Sequence, residues 1–152
     1  MEMVGWHYHT GTAVPADFAK AAGFYHDAIG AGSWMATINY ARLLSDNGFD
    51  ADAEEMLQDG CSAGFVPAFF RLARIRYTAA PQRAGGNAIR PLLEHAAAAG
   101  HPEARVLRAH LMVLGRFGLR RIPAGIASVL QVAWSFARND EGQYAETEAR
   151  AA

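Results

Sequence analysis

The chain has 152 residues, 51% hydrophobic and 19% charged, so it is long enough for one domain with a real core and too apolar to be disordered. Its formal net charge is −1, and its single cysteine, Cys61, excludes an internal disulfide and a cysteine-based zinc site. No stretch reaches the roughly 18 to 20 uncharged apolar residues of a membrane span, and Met1-Glu2-Met3 lacks the features of a secretory signal. We therefore expect a cytoplasmic protein, or a periplasmic one if the true start lies upstream.

Apolar residues recur at spacings of three and four along the chain, which predicts helices, and no segment shows the alternation of a strand. A helix ends near Thr10, and further helices are predicted over residues 17–31, 34–46, 50–62, 67–78, 87–99, 102–114 and 123–138. Glycine and proline separate them, and Asn47-Gly48 is a favoured left-handed helix stop. The polar residues 139–152 are expected to form a flexible tail, so the predicted domain covers residues 1–138.

A pair of small residues repeats along the chain. Gly32 with Ala36 is followed by Gly64 with Ala68 and by Gly100 with Ala104, at spacings of 32 and 36 residues. Such a period indicates an array of similar helix pairs. A helix pair cannot bury its own apolar stripe, so successive pairs are expected to stack on one another.

The first copy resembles the Sel1-like repeat, a relative of the tetratricopeptide repeat. The matching residues are Val4, Gly5, Tyr8, Gly11, Val14, Asp17, Lys20, Ala21, Phe24, Tyr25, Ala28 and Gly32. The later copies drift, with Arg76 where a tyrosine is expected and Arg108 where a leucine is expected, and the resemblance spans roughly residues 4–137. It implies an all-α fold, an α-solenoid of about four helix-turn-helix repeats, some of them degenerate.

Proteins similar to this family act as non-catalytic scaffolds in bacterial signalling, envelope homeostasis and exopolysaccharide regulation or export. The ratio of 13 arginines to one lysine suits a GC-rich bacterial genome. The resemblance therefore implies an adaptor that binds another protein.

Charge is segregated along the chain. Residues 1–60 carry nine acids and two bases, residues 61–138 carry eleven arginines and two acids, and the remaining residues have a net charge of −3. This pattern could steer an anionic partner to the second half or favour head-to-tail association. The alternative is that the charges only keep the surface soluble.

One face of the first helices in each repeat is polar and basic. Arg71 and Arg74 are three residues apart and so share a helix face. The predicted partner-binding stripe consists of Trp6, Asn39, Arg42, Arg71, Arg74 and His110. The resemblance places these helices on the concave surface, where arginine forks would bind a peptide or an acidic protein element. Alternatively, these arginines pair with local acids or cover apolar surface.

Evidence for catalysis is weak. His7 and His9 are two residues apart, which places them on different sides of a helix and argues against a two-histidine metal site. No metalloprotease motif, phosphate-binding glycine loop or nucleophile elbow is present. Cys61 lies in a small-residue turn and is expected to pack rather than to react. We therefore predict no enzyme activity, no catalytic residue, no metal and no cofactor.

The last predicted helix is apolar on nearly all sides, which is typical of a buried helix. Its predicted assembly surface consists of Ile126, Val129, Leu130, Trp134 and Phe136. Contact with a second copy or another protein is favoured over shallow association with a membrane surface. The acidic first half and the single lysine argue against nucleic-acid binding.

Two functions follow from these patterns. The first is a non-catalytic adaptor that binds a protein or peptide through the concave face. The alternative is an obligate accessory subunit that uses its apolar ends to stabilise or regulate an enzyme or a membrane-associated complex, for example in exopolysaccharide biosynthesis or export. The two differ in their behaviour in isolation, because an adaptor is monomeric whereas a subunit self-associates or aggregates.

Overall fold

The structure, a computed structural model, describes residues 1–81 and 88–151, with the backbone alone for residues 136, 137 and 139–151. The described residues form eight α-helices and no strand. The helices are α1 (Glu2–Thr10), α2 (Phe18–Gly30), α3 (Trp34–Asp46), α4 (Asp50–Ser62), α5 (Val66–Ala79), α6 (Arg90–Ala98), α7 (Pro102–Val113) and α8 (Ile122–Ala151). A short 3-10 helix, Leu119–Arg121, precedes α8.

The chain divides into two compact units, Met1–Pro81 and Gln82–Ala152. In the first unit α1 packs against α2, α2 against α3, α3 against α4 and α4 against α5. The α3 helix also contacts both α1 and α5. In the second unit α6 packs on α7, and α7 packs on α8. Neighbouring helices therefore pack in sequence order within each unit.

The predicted repeat landmarks end helices in the same way. Gly32, Gly64 and Gly100 have φ values of 87°, 77° and 88°. At each glycine the amide of the next residue donates a hydrogen bond back to a carbonyl five positions earlier: Ser33 to Ala28, Phe65 to Gly60 and His101 to Ala96. This Schellman geometry needs a residue that tolerates the left-handed region, so the periodic glycines define where each second helix stops.

Side chains and prolines define where the helices begin. The Asp17 carboxylate accepts a hydrogen bond from the Lys20 amide, which lowers the pKa of Asp17. Ser33 caps α3 by accepting from the Ala36 amide at 3.2 Å. Proline occupies the first or second position of α5, α6 and α7, where its missing N–H costs no helical hydrogen bond.

One core cluster of the first unit lies between α2 and α3. Its buried residues are Ala21, Tyr25, Ala28, Ala36 and Leu43. Gly5 of α1 reaches this core, because an added Cβ would lie 2.9 Å from Cε1 of Tyr25. The absence of a side chain at Gly5 therefore makes room for the Tyr25 ring.

In the second unit α8 approaches α7 closely at Gly125, where an added Cβ would lie 2.7 Å from Cβ of Met112. Glu94 of α6 accepts hydrogen bonds of 3.0 Å from Arg90 and from Arg121, which lies just before α8. Burial of Glu94 acts against ionisation, yet the two arginines hold its pKa below the usual value. One carboxylate thus links α6 to the start of α8.

The observed helices follow the predicted ones except at three places. The first segment forms a complete short helix of nine residues, where the sequence predicted only the end of one. The segment 115–122, predicted as a loop, contains the 3-10 helix. The backbone of α8 continues to Ala151, past the predicted end at residue 138. The proposed domain of residues 1–138 and the flexible tail of residues 139–152 remain predictions, since the tail side chains lie outside the described residues.

Candidate partner-binding cleft

Three of the predicted arginines line one cleft in the first unit. This cleft, which we call the arginine cleft, has a volume of about 330 Å³ and lies among α3, α4 and α5. Its lining residues are Ala41, Arg42, Ser45, Asp46, Asp50, Leu57, Arg71, Arg74, Ile75, Thr78 and Ala79. The floor is therefore aliphatic, whereas the walls carry three guanidinium groups and two carboxylates.

Arg42 is held from two sides. Its guanidinium carbon lies 5.0 Å from the centre of the Trp6 ring, which is the geometry of a cation–π contact. Its Nε lies 3.5 Å from a carboxylate oxygen of Asp46, one helical turn away. Trp6, a residue of the predicted stripe, does not line the arginine cleft, but it contacts Arg42, which does.

His9 connects the arginine cleft to the core. Its side chain is only 7% exposed, and its Nε2 lies 3.1 Å from the same Asp46 oxygen. Its Nδ1 faces the hydroxyl of Tyr25 at 3.4 Å, and its ring packs edge-on against Trp6. Both imidazole nitrogens thus have partners inside the protein, which explains why this histidine is buried.

The two carboxylates of the arginine cleft are already engaged. Asp46 has Arg42 and His9 as partners, and Asp50 accepts a 2.6 Å hydrogen bond from the Ser45 hydroxyl. Asp50 also lies in the first turn of α4, where the helix dipole stabilises a negative charge. Because both carboxylates already have partners within the protein, they compete less with an outside anion for Arg71 and Arg74.

Arg71 and Arg74 lie on α5, one turn apart, and reach the same cleft. Arg71 is half-buried, whereas Arg74 is exposed. No ion pair involves Arg74 within the part of the chain that the structure describes. The third arginine of α5, Arg76, points elsewhere and pairs with Glu54 at 2.9 Å. Arg74 is therefore the guanidinium of the cleft best placed to bind an anion from outside.

The other two stripe residues lie apart from this group. Asn39 is a half-buried residue of α3 that does not line the arginine cleft. His110 belongs to the second unit, where it lines an apolar groove of about 380 Å³ between α7 and α8. The groove's other lining residues are Val106, Ala109, Val113, Val129 and Val132.

The predicted assembly surface lies on α8. Ile126, Val129, Leu130 and Trp134 are exposed, and Arg138 stacks over the Trp134 ring at 5.8 Å. Phe136 lies outside the residues whose side chains are described. The exposed apolar side chains thus run along the described part of the helix.

Cys61 is half-buried, and burial raises the pKa of its thiol despite the nearby positive charge of Arg76. A raised pKa leaves little thiolate at neutral pH, so this cysteine has the properties of a packing residue. In the described residues no histidine, cysteine and carboxylate side chains gather into a group that could hold a metal. Within the same ranges no helix is long and apolar enough to cross a membrane.

Sequence reasoning missed His9, Ser45, Asp46 and Asp50 as parts of this region. His9 comes from α1, and the other three come from the end of α3 and the start of α4. The spacing of four between Arg42 and Asp46 could have indicated the ion pair. The contact of His9 with Asp46 joins residues 37 positions apart, and no local pattern predicts it.

None of the protein-family models, curated proteins and solved structures compared with the chain matches it.

Proposed function

We propose that this protein is a non-catalytic adaptor that binds an acidic peptide or protein segment in the arginine cleft. The observation that carries the proposal is the convergence of Arg42, Arg71 and Arg74 on one cleft with an aliphatic floor. Guanidinium groups bind carboxylates through paired hydrogen bonds, and the apolar floor favours a segment that also carries aliphatic side chains.

We also propose that the helix pairs belong to a Sel1-like repeat array of the solenoid type. Support comes from the contacts of α3 with both α1 and α5, since stacking of successive first helices is the packing that such an array requires. The shared glycine stops at Gly32, Gly64 and Gly100 are further support.

A short fluorescent peptide rich in aspartate and glutamate, measured by fluorescence anisotropy, tests the binding role. We expect saturable binding that weakens with added salt, since exposed charges are screened. The double variant Arg71→Glu, Arg74→Glu should weaken binding by about tenfold or more, because it replaces two attractive contacts with repulsive ones.

Two variants serve as controls. Arg116→Glu makes a charge reversal on an exposed arginine of the second unit and should leave the affinity unchanged. Arg74→Lys keeps the charge but loses the planar fork, so it should give an intermediate affinity. Equal losses in the Arg116 and Arg71/Arg74 variants would mean that the peptide responds only to net charge, and the proposal would be wrong.

A second candidate function is an obligate accessory subunit that is stabilised by a covering protein. The exposure of Leu130 and Trp134 on α8 favours it, because large apolar side chains in a row on a surface mark contact sites. Rapid aggregation of the purified chain, with rescue by a co-expressed partner, would support this function over the adaptor.

A further inference from the structure

In the first unit, each helix pair provides a seat for the helix that follows it. The α3 helix packs against both α1 and α2, and α5 packs against both α3 and α4. The groove of a pair is therefore covered by the first helix of the next pair. The α7–α8 groove is the corresponding seat on the last pair.

The repeat spacing identifies which residues of the last pair should be covered. Gly5, Ala41, Ala73 and Ala109 are related by steps of 36, 32 and 36 residues, and steps of the same lengths relate equivalent positions elsewhere in the repeats. In the second helices, Val129 is equivalent to Leu57 and Leu93. Those two leucines are 0% exposed, whereas Val129 is 44% exposed. In the first helices, Ile38 and Phe70 are 4% exposed, whereas the equivalent Val106 is 46% exposed.

Two sets of equivalent positions are thus buried in the earlier repeats and exposed in the last one. Val106 and Val129 face the same apolar groove from opposite helices. The simplest physical cause is that the helix which covers these positions elsewhere is not supplied by the described part of the chain. Apart from His110, the residues that line the groove are apolar, as the packing of a helix there would require.

The first helix of the first unit, α1, is a matching helix. Val4 of α1 is equivalent to Tyr40 of α3, at the same offset of 36 residues that relates Gly5 to Ala41. Tyr40 packs against the preceding pair, with its ring 4.7 Å from the His26 ring of α2. Val4 and the neighbouring Met1 are exposed. In α1, the face that seats a first helix on its predecessor is therefore uncovered.

The two units carry net charges of opposite sign. Residues 1–81 contain nine acids and five bases, a net charge of −4. Among the second unit's residues with described side chains there are seven arginines and two acids, and one of those acids, Glu94, is engaged by Arg90 and Arg121. The first unit of one copy is therefore attracted to the second unit of another.

We propose that the chain self-associates head to tail, with α1 of a second copy seated in the α7–α8 groove, so the proposed adaptor is not the monomer expected from the sequence. The contact joins two different surfaces, so a dimer keeps one free groove on one copy and one free α1 on the other. Such a heterologous contact builds rings if its rotation closes and filaments if it does not.

Paired charge substitutions test this arrangement by size-exclusion chromatography with light scattering. Val129→Glu should block the groove, and Val4→Glu should block α1, so each variant alone should be monomeric while the natural chain forms a larger, concentration-dependent species. We expect the apparent dissociation constant to rise by about tenfold or more in each variant. An equimolar mixture should then form a dimer, because the first variant keeps an intact α1 and the second keeps an intact groove.

Matched controls place a new carboxylate at exposed positions outside the contact. Gln131→Glu on α8 and Ala19→Glu on α2 should leave the association unchanged. Val106→Glu repeats the groove test from α7, and far-UV circular dichroism checks that every variant is folded. All of the substituted positions are exposed, so surface substitution there should not disrupt the fold.

Three results would overturn the proposal. The first is a natural chain that is monomeric over the whole accessible concentration range. The second is loss of the association in Val129→Glu but not in Val4→Glu, which would mean that α8 pairs with itself or with another surface. The third is a mixture of the two folded variants that stays monomeric, which would exclude a contact between α1 and the groove.

Discussion

Tyr25 of α2 is fully buried, with its hydroxyl 3.4 Å from Nδ1 of His9. Burial raises the pKa of Tyr25 to about 12, against the opposing charge of Arg42. The ionised form is therefore unfavourable in the folded protein but accessible in the unfolded chain near pH 10.

This difference predicts a loss of stability at high pH. Above the unfolded pKa, the unfolded chain releases the tyrosine proton while the folded protein keeps it, so the free energy of unfolding falls as the pH rises from about 10 to about 12. The loss from this group should reach about 2 to 3 kcal/mol. Urea denaturation at a series of pH values measures it.

Tyr25→Phe is the matched control, since phenylalanine fills the same space and cannot ionise. The variant should lose a little stability at neutral pH, because the contact with His9 is removed, and should show a shallower decline above pH 10. Parallel alkaline profiles for the two proteins would contradict the assignment to Tyr25.

Individual residues were the hardest feature to predict. Trp34 is a large apolar residue, yet it is 42% exposed, because it is the first residue of α3 and stacks at the helix end against Phe65 with ring centres 5.8 Å apart. Helical periodicity identifies a buried face but does not identify the end of that face. The cap residues Asp17 and Gly48 were predictable, because their chemistry is local.

At the scale of elements, the closest contact between described helices that a glycine permits is that of Gly125 with α7. Gly125→Ala would place a methyl group 2.7 Å from Cβ of Met112 and 2.8 Å from the Val113 amide nitrogen. The two helices would have to separate, so we expect a loss of about 1 to 3 kcal/mol in the free energy of unfolding. Thermal and urea denaturation give this value.

Gly23→Ala, also within a helix, should have the opposite effect on stability. Gly23 lies inside α2, and an added Cβ there meets nothing within 4 Å. This variant should gain about 0.5 to 1 kcal/mol from helix propensity alone. A stabilising effect of Gly125→Ala would mean that α7 and α8 are not in close contact.

Most helices were predictable from sequence because their start and stop signals are local. The beginning of α6 at Arg90, three residues later than predicted, falls next to Pro91, which favours an early position in a helix. The continuation of α8 to Ala151 was not predicted, because residues 139–151 show no apolar face, although their glutamate and alanine content favours a helix. Periodicity detects only helices that bury a stripe.

At the scale of the whole molecule, the segregation of charge gives the chain an electrical polarity. Residues 82–152 carry nine arginines and six acids, a net charge of +3, against −4 for residues 1–81. If head-to-tail contact depends on this polarity, added salt should weaken the association while leaving each unit folded, because exposed charges are screened over about 10 Å at 0.1 M salt.

Light scattering at increasing sodium chloride concentrations measures this effect. The apolar contact of Val4 with the groove is not screened, so association should weaken with salt but not vanish. An association that strengthens with salt would mean that the contact is purely apolar and that the charge pattern has no part in it.

Part of the arginine cleft could be predicted from the sequence. The repeat period placed Arg42, Arg71 and Arg74 on neighbouring first helices, and the structure gathers them in one cleft. The engagement of Asp46 by His9 was not predictable, because it depends on how α1 meets the end of α3. Repeats predict which elements are neighbours, whereas side-chain partners depend on the exact helix packing.

The position of Arg42 has an entropic consequence. A free arginine side chain loses up to about 2 kcal/mol of rotamer freedom when a ligand immobilises it. Arg42 is already restrained by the face of Trp6 and by Asp46, so much of that loss is incurred during folding. A partner that docks beside it meets a pre-organised guanidinium, whereas the exposed Arg74 must still be immobilised when the complex forms.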